Sequence, residues 1–154
     1  MSVHSVKTAR GLARDFCIGH GFPERVRAEA LLIVSELVTN SVVHARPQVS
    51  APQECRLILT WQRREFEMAV WDYDPMPCPR IRAADSDPDV ECGRGLAIVL
   101  GLADGFTWMR AAGGKLVAAR LRVPSAAEGV GEGGLFGAAF DVRAAVLDRP
   151  SEAS

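Results

Sequence analysis

Glu36 and Asn40 are a pair of side chains whose types and spacing could do chemistry. They are four residues apart, so in an α-helix they lie one turn apart on the same face. A carboxylate can orient or deprotonate an attacking hydroxyl, and an amide oxygen suits Mg²⁺. A solvated helix face would show the same spacing, and the pair taken alone favours that simpler interpretation.

Two further motifs follow along the chain. Asp72 comes directly after a predicted strand, where a carboxylate is well placed to accept hydrogen bonds from a ligand amine. An Asp-Pro turn that ends the strand is the alternative. Gly93-Arg94-Gly95-Leu96 opens a predicted helix, and glycines at such a junction let backbone N–H groups approach phosphates. An ordinary helix start explains the same residues equally well.

The composition predicts one globular domain. The chain has 154 residues, 48% of them hydrophobic, and a net charge of −1, which gives no general attraction to nucleic acid or anionic membrane. The longest apolar run, Ala30 to Val34, is too short to cross a bilayer, and the start lacks the apolar core of a secretory signal. The four cysteines form no Cys-x-x-Cys pair, which argues against zinc. We therefore expect a cytoplasmic protein with reduced thiols.

Hydrophobic periodicity predicts the elements that must position these motifs. Three helices are predicted over residues 6–19, 23–45 and 93–104. Four strands, arranged as two hairpins, are predicted over residues 55–61, 65–71, 106–110 and 115–123. This order suggests an α+β fold, a two-layer sandwich with one mainly antiparallel sheet and helices on one face.

The sequence after residue 124 changes character and becomes rich in Gly, Ala and Glu. It predicts a domain over residues 1–124 followed by a flexible C-terminal tail over residues 125–154. Within that tail, apolar residues are spaced as in a short amphipathic helix over residues 135–147.

Together, the three motifs resemble the N, G1 and G2 boxes of the GHKL superfamily, which includes gyrase-type ATPases and histidine kinases. The longer match, over residues 32–45 and again from Glu91 to Leu96, looks most like the bacterial anti-sigma-factor serine kinase branch. The resemblance covers roughly residues 6–123. It implies the Bergerat-type, histidine kinase-like ATP-binding fold.

The resemblance also implies ATP and Mg²⁺ as cofactors and a role for each motif. By this resemblance, Glu36 is the general base, Asn40 the Mg²⁺ ligand and Asp72 the acceptor for the adenine amino group. The third motif would line the phosphates through Gly93, Arg94, Gly95 and Leu96. The segment 79–91 would form a lid over the nucleotide.

The implied activity is transfer of the ATP γ-phosphoryl group to a Ser or Thr of a partner protein. The partner would be an anti-anti-sigma protein of the STAS type, and family members often work as dimers. Asp74 stands where many members of the superfamily have glycine. The alternative is therefore a binding module without catalysis that sequesters a sigma factor or another regulator.

Three further features depend on the same resemblance. Lys115 lies where the family often has a Gly-Lys pair, but a solvated lysine flanking a hairpin is the simpler expectation. His44 resembles the histidine that ends the N-box helix, where a capping or structural role is expected. The N-terminal edge strand expected in the family is missing or very short.

Overall fold

The computed structural model describes residues 3–44, 54–73, 94–124 and 135–143. The elements in chain order are α1 (Val3–Gly19), α2 (Glu24–His44), β1 (Glu54–Gln62), β2 (Glu65–Asp72), α3 (Arg94–Leu102), β3 (Gly105–Ala111), β4 (Gly114–Arg122) and β5 (Phe136–Arg143). The predicted helices and the first four strands are confirmed, and their ends differ by at most three residues from those expected. Within the described residues, no helix is long and apolar enough to span a membrane.

The strands form one five-stranded sheet in the order β3-β4-β2-β1-β5. Each neighbouring pair in this sheet is antiparallel. Helix α2 packs against β1, β2 and β4, while α1 packs against β1 and β5, and α3 packs against α2. The α+β two-layer sandwich expected from the sequence is confirmed.

Helix α2 contacts the sheet and both of the other helices. Each residue from 33 to 42 is buried or half-buried, as expected for a helix with apolar residues around most of its circumference. Helix α1 packs closely against α2 because the side chains on one of its faces are small. Three of them, at four-residue spacing, are fully buried: Ala9, Ala13 and Cys17. The polar residues of α2 between positions 35 and 41 are therefore buried or half-buried.

The face of the sheet under the helices follows the period of two along each strand. On β1 and β2 the fully buried residues of this face are Leu57, Leu59, Phe66, Met68 and Val70. Two-residue turns connect the strands of both hairpins. Arg63 and Arg64 have φ of 49° and 66°, the left-handed conformation that matches the twist of a tight hairpin.

The predicted short helix over residues 135–147 is wrong. Residues 136–143 instead form β5, which pairs antiparallel with β1 from Trp61↔Phe136 to Glu54↔Arg143. A strand forms here because β1 would otherwise leave its backbone groups unpaired at the edge of the sheet, and because Gly137 is unfavourable in a helix. Val142 is buried at 2% exposure, which fixes β5 to the core.

Aromatic side chains also join β5 to the first helix. The rings of Trp61 and Phe136 stack with their centroids 5.6 Å apart, and the His20 ring lies 5.1 Å from Phe136. His20 is in turn held to α1 by Nδ1, which lies 2.8 Å from the carbonyl oxygen of Phe16. The end of α1, β1 and β5 therefore share one apolar cluster.

Replacing Val142 tests whether β5 is part of the folded domain. We expect Val142→Ala to lower the free energy of unfolding by about 1–3 kcal/mol, because it removes two buried methyl groups and leaves a cavity. Asp141→Asn is the control, since Asp141 makes an exposed ion pair with Arg56 on the other face of the strand. Urea denaturation of both variants gives the comparison. A Val142→Ala variant as stable as Asp141→Asn would contradict the docking of β5.

Candidate functional site

Asp72 ends β2 with its side chain buried at 1% exposure. The alternation along the strand puts it on the helix-covered face, two residues after Val70. Ser41 Oγ of α2 donates a 2.7 Å hydrogen bond to Asp72 Oδ2, and Lys115 Nζ of β4 lies 3.5 Å from Oδ1. A carboxylate this deeply buried requires such partners, because an uncompensated charge is costly away from water.

Lys115 is buried at 4% exposure, so the expectation of a solvated lysine is wrong. It lies directly opposite Asp72 in the β2–β4 register, which puts both side chains on the same face of the sheet. It also alternates with Val117 and Ala119, two buried residues of β4. The inward direction of Lys115 follows from its place in the strand, and Asp72 compensates its charge.

Gly114 lets β4 begin close to the end of β2. A Cβ atom at this position would overlap the backbone oxygen of Asp72 and would lie 3.1 Å from the Cα of Tyr73. Since the overlap is with backbone atoms, a larger residue would have to move the strand itself. The glycine thereby keeps Lys115, the next residue, beside the Asp72 carboxylate.

The start of α3 packs against Glu36 of α2. A Cβ atom on Gly95 would overlap Glu36 Oε2 and would lie 3.2 Å from Glu36 Cδ. Leu96, at 9% exposure, and fully buried Val99 anchor this helix in the core. The first turn of α3 contains no acidic residue, and its backbone N–H groups and helix dipole suit an anion.

Glu36 and Asn40 are both half-buried. They therefore lie at the edge of the core, where a carboxylate and an amide can meet both protein and ligand. Ser41, which follows Asn40, already contacts Asp72, whereas Glu36 faces Gly95. Five residues, or about 7.5 Å of helix, separate these two contacts of α2.

The structure thus brings together residues from all three sequence motifs around α2. Arg94 is exposed as the first residue of α3, and Leu96 is part of the core rather than of a surface. Gly93, Asp74 and the predicted lid over residues 79–91 lie outside the described residues. His44 ends α2, as expected from the sequence.

The environment of Asp72 also affects a neighbouring thiol. Cys55 of β1 pairs with Asp72 in the register and is buried at 3% exposure. Burial raises the pKa of the Cys55 thiol to about 12, and the negative charge of Asp72 contributes in the same direction. Cys55 is therefore a neutral, unreactive thiol beside the carboxylate.

Ser41 is a candidate site residue that the sequence argument missed. Its hydroxyl makes the shortest described contact to Asp72 from α2. A signal for it was present, since Ser41 follows Asn40 directly and precedes the apolar pair Val42 and Val43 on the same helix. A buried hydroxyl at such a place requires a hydrogen-bond partner.

A separate groove of about 520 Å³ lies along α1 and α2. It is lined by Val6, Lys7, Arg10, Gly11, Arg14, Leu31 and Thr39. None of the candidate site residues belongs to this lining, so the groove is distinct from the site around Glu36 and Asp72.

The contact between Gly95 and Glu36 can be tested by a double-mutant cycle on the free energy of unfolding. We expect Gly95→Ala to be less favourable in the wild-type background than in a Glu36→Ala background, by about 0.5 kcal/mol or more, because the new methyl group must displace the carboxylate. Gly101→Ala in the same helix is the control, since nothing lies within 4 Å of its added Cβ. That control should be additive with Glu36→Ala. Additive behaviour of Gly95→Ala as well would contradict the packing of α3 on Glu36.

Comparison with known proteins identifies the family. A family model described as a histidine kinase-like ATPase domain matches residues 2–121, which is most of the chain. The search of curated proteins found no match, and neither did the search of solved structures. The matched range runs from α1 to the end of β4 and includes each of the three motifs. The chain therefore belongs to the histidine kinase-like ATPase domain family.

Proposed function

We propose that this protein binds ATP with Mg²⁺ and transfers the γ-phosphoryl group to a Ser or Thr of a regulatory partner protein. One observation carries the proposal: α2 contacts the start of α3 through Glu36 and the end of β2 through Ser41. An anion-binding helix start and a buried acceptor are thereby held at two ends of one helix segment. A nucleoside triphosphate has matching ends, a polyanion and a base with donor and acceptor atoms.

At the phosphate end, the start of α3 has backbone N–H groups and a helix dipole that suit phosphate oxygens. Arg94 supplies positive charge beside them. Asn40 would hold Mg²⁺ through its amide oxygen, and Gly93 and Leu96 complete the proposed phosphate segment. When bound, Mg²⁺ supplies positive charge that stabilises the transferring phosphoryl group.

At the base end, Asp72 is the proposed acceptor for the adenine amino group. Its two carboxylate oxygens have about four lone pairs, so this carboxylate can accept hydrogen bonds from several donors, as the contacts with Ser41 and Lys115 illustrate. The buried position favours a strong hydrogen bond, since little water competes there. This arrangement supports selection of a base that carries an exocyclic amine.

Glu36 is the proposed general base. Its carboxylate lies against the start of α3, next to the proposed phosphate segment, and it is half-buried rather than fully solvated. A carboxylate there can accept the proton of an attacking hydroxyl as its oxygen bonds to the γ-phosphorus and the bond to the bridging oxygen breaks, which releases ADP. We propose an anti-anti-sigma protein of the STAS type as the source of that hydroxyl.

Calorimetry with ATP and Mg²⁺ tests the site. We expect wild type to bind, and Asn40→Ala and Asp72→Asn to bind at least about 10-fold more weakly. Asn40→Ala removes the proposed Mg²⁺ ligand, and Asp72→Asn replaces the charged acceptor for the adenine amino group by a neutral amide. Glu29→Gln in α2 is the matched control, since Glu29 makes an exposed ion pair with Arg25. An absence of heat from wild type would overturn ATP binding, and equal affinity in all variants would overturn this placement of the site.

Transfer of labelled phosphate to a cognate STAS-type partner tests the reaction. Glu36→Gln should lower the transfer rate about 10²–10⁴-fold while ATP affinity changes little, because the amide cannot accept the proton. Glu29→Gln, the same change about two helix turns away, should retain the wild-type rate. A Glu36→Gln variant with an undiminished rate would exclude Glu36 as the base.

The second candidate function is nucleotide binding without transfer, with a sigma factor or another regulator as the bound partner. Asp74 favours it, because two residues after Asp72 in the sequence it has bulk and negative charge where many members of the superfamily have glycine. ATP binding without labelled transfer, together with complex formation with a sigma factor on gel filtration, would support this function.

A further inference from the structure

We propose that Lys115 is a positioning residue that gives the nucleotide site its preference for an amino group on the base. Its ammonium keeps the Asp72 carboxylate a pure hydrogen-bond acceptor. The inference rests on the proposed function and extends it from binding of a nucleotide to discrimination between bases. Lys115 makes this contribution through Asp72, without contacting the base itself.

The first step of the argument is the burial of both charges. Asp72 is exposed by 1% and Lys115 by 4%, so bulk water does not solvate either charged group. Their atoms Oδ1 and Nζ are 3.5 Å apart, an ion-pair distance longer than the 2.7–2.9 Å typical of a charge-assisted hydrogen bond. At this distance the ammonium stabilises the carboxylate charge electrostatically in an environment of low polarity.

The second step concerns the neighbours that face the carboxylate from the other packed elements. From α2, Ser41 donates a hydrogen bond, but its hydroxyl carries no charge. From β1, Cys55 remains a neutral thiol because burial and the Asp72 charge raise its pKa to about 12. From β4, Lys115 brings a positive charge to the carboxylate. The ammonium of Lys115 therefore favours the ionised state of Asp72.

The third step is the chemistry of recognition. An ionised carboxylate only accepts hydrogen bonds, whereas a protonated carboxyl also donates one. The amino group at position 6 of adenine donates, while the carbonyl oxygen at the same position of hypoxanthine accepts. A site with ionised Asp72 therefore favours ATP over inosine triphosphate, and a site with protonated Asp72 loses that discrimination.

The fold explains why Lys115 can make this contribution where a surface lysine could not. Gly114 allows the chain to pass against the backbone of Asp72, and the register sets Lys115 opposite that residue. The long side chain is thereby retained beside the carboxylate instead of extending to solvent. Replacing Lys115 should consequently affect the charge of Asp72 more than it affects the packing of the rest of the sheet.

The test compares the affinities for ATP and inosine triphosphate by calorimetry in wild type, Lys115→Arg and Lys115→Gln. Wild type should prefer ATP, and Lys115→Arg should keep that preference because it retains the charge. Lys115→Gln should narrow the preference by about 10-fold, which corresponds to about 1.4 kcal/mol. Circular dichroism and urea denaturation report whether each variant is folded.

A pH series gives a readout that a purely structural role would not move. Between about pH 6 and about pH 8 the ATP preference of wild type should stay constant. In Lys115→Gln it should decrease as the pH is lowered, because loss of the nearby positive charge raises the pKa of the Asp72 carboxyl. The triphosphate is common to both nucleotides, so its own titration cancels in the ratio.

The outcomes separate this inference from the proposed function. If wild type binds ATP but Lys115→Gln keeps the full ATP preference at each pH, the role of Lys115 is overturned and the ATP site stands. If wild type binds neither nucleotide, the proposed function fails and this inference fails with it. If Lys115→Gln does not fold, the double variant Asp72→Asn, Lys115→Gln removes both charges together. Full ATP preference in that variant would likewise overturn the inference.

Discussion

The buried ion pair between Asp72 and Lys115 is the interaction on which the arrangement of the site depends. Breaking one side of such a pair typically costs about 3–5 kcal/mol, because it leaves an uncompensated charge away from water. The pair forms only when the end of β2 and the start of β4 are in register, and Ser41 adds the requirement that α2 lie over both. The ion pair and the hydrogen bond from Ser41 thus fix both the register of β2 with β4 and the position of α2 over these strands.

Two close contacts between neighbouring elements complete the candidate site. Gly114 brings β4 against the backbone of Asp72, and Gly95 brings α3 against the Glu36 carboxylate. Both are places where a side chain would occupy the space that the neighbouring element needs. Because the two contacts are at opposite ends of one helix segment, α2 helps to set the separation between Asp72 and the start of α3. A rigid helix is better suited to that task than a loop.

The sequence predicted the parts of the fold that depend on local patterns. The helices and the first four strands follow from apolar periodicity and from turn residues such as Gly113, and these predictions hold. Strand β5 could not be predicted in the same way, because its pairing with β1 joins residues about 80 positions apart, as Arg56 and Asp141 show. Its apolar residues fit a helix and a strand equally well, and the unpaired edge of β1 decides between them.

The candidate site was predictable to a similar extent, and Lys115 shows where the limit lies. The alternation Lys115, Val117, Ala119 already puts the lysine on the apolar face of β4. The alternation along β4 does not identify a partner for a buried lysine, however, and a solvated side chain is then the simpler expectation. Its partner becomes visible only with the β2–β4 register, which depends on a crossover of more than 30 residues between Asp72 and Gly105. Charge compensation across that crossover is a property of the folded sheet, so neither motif contains it separately.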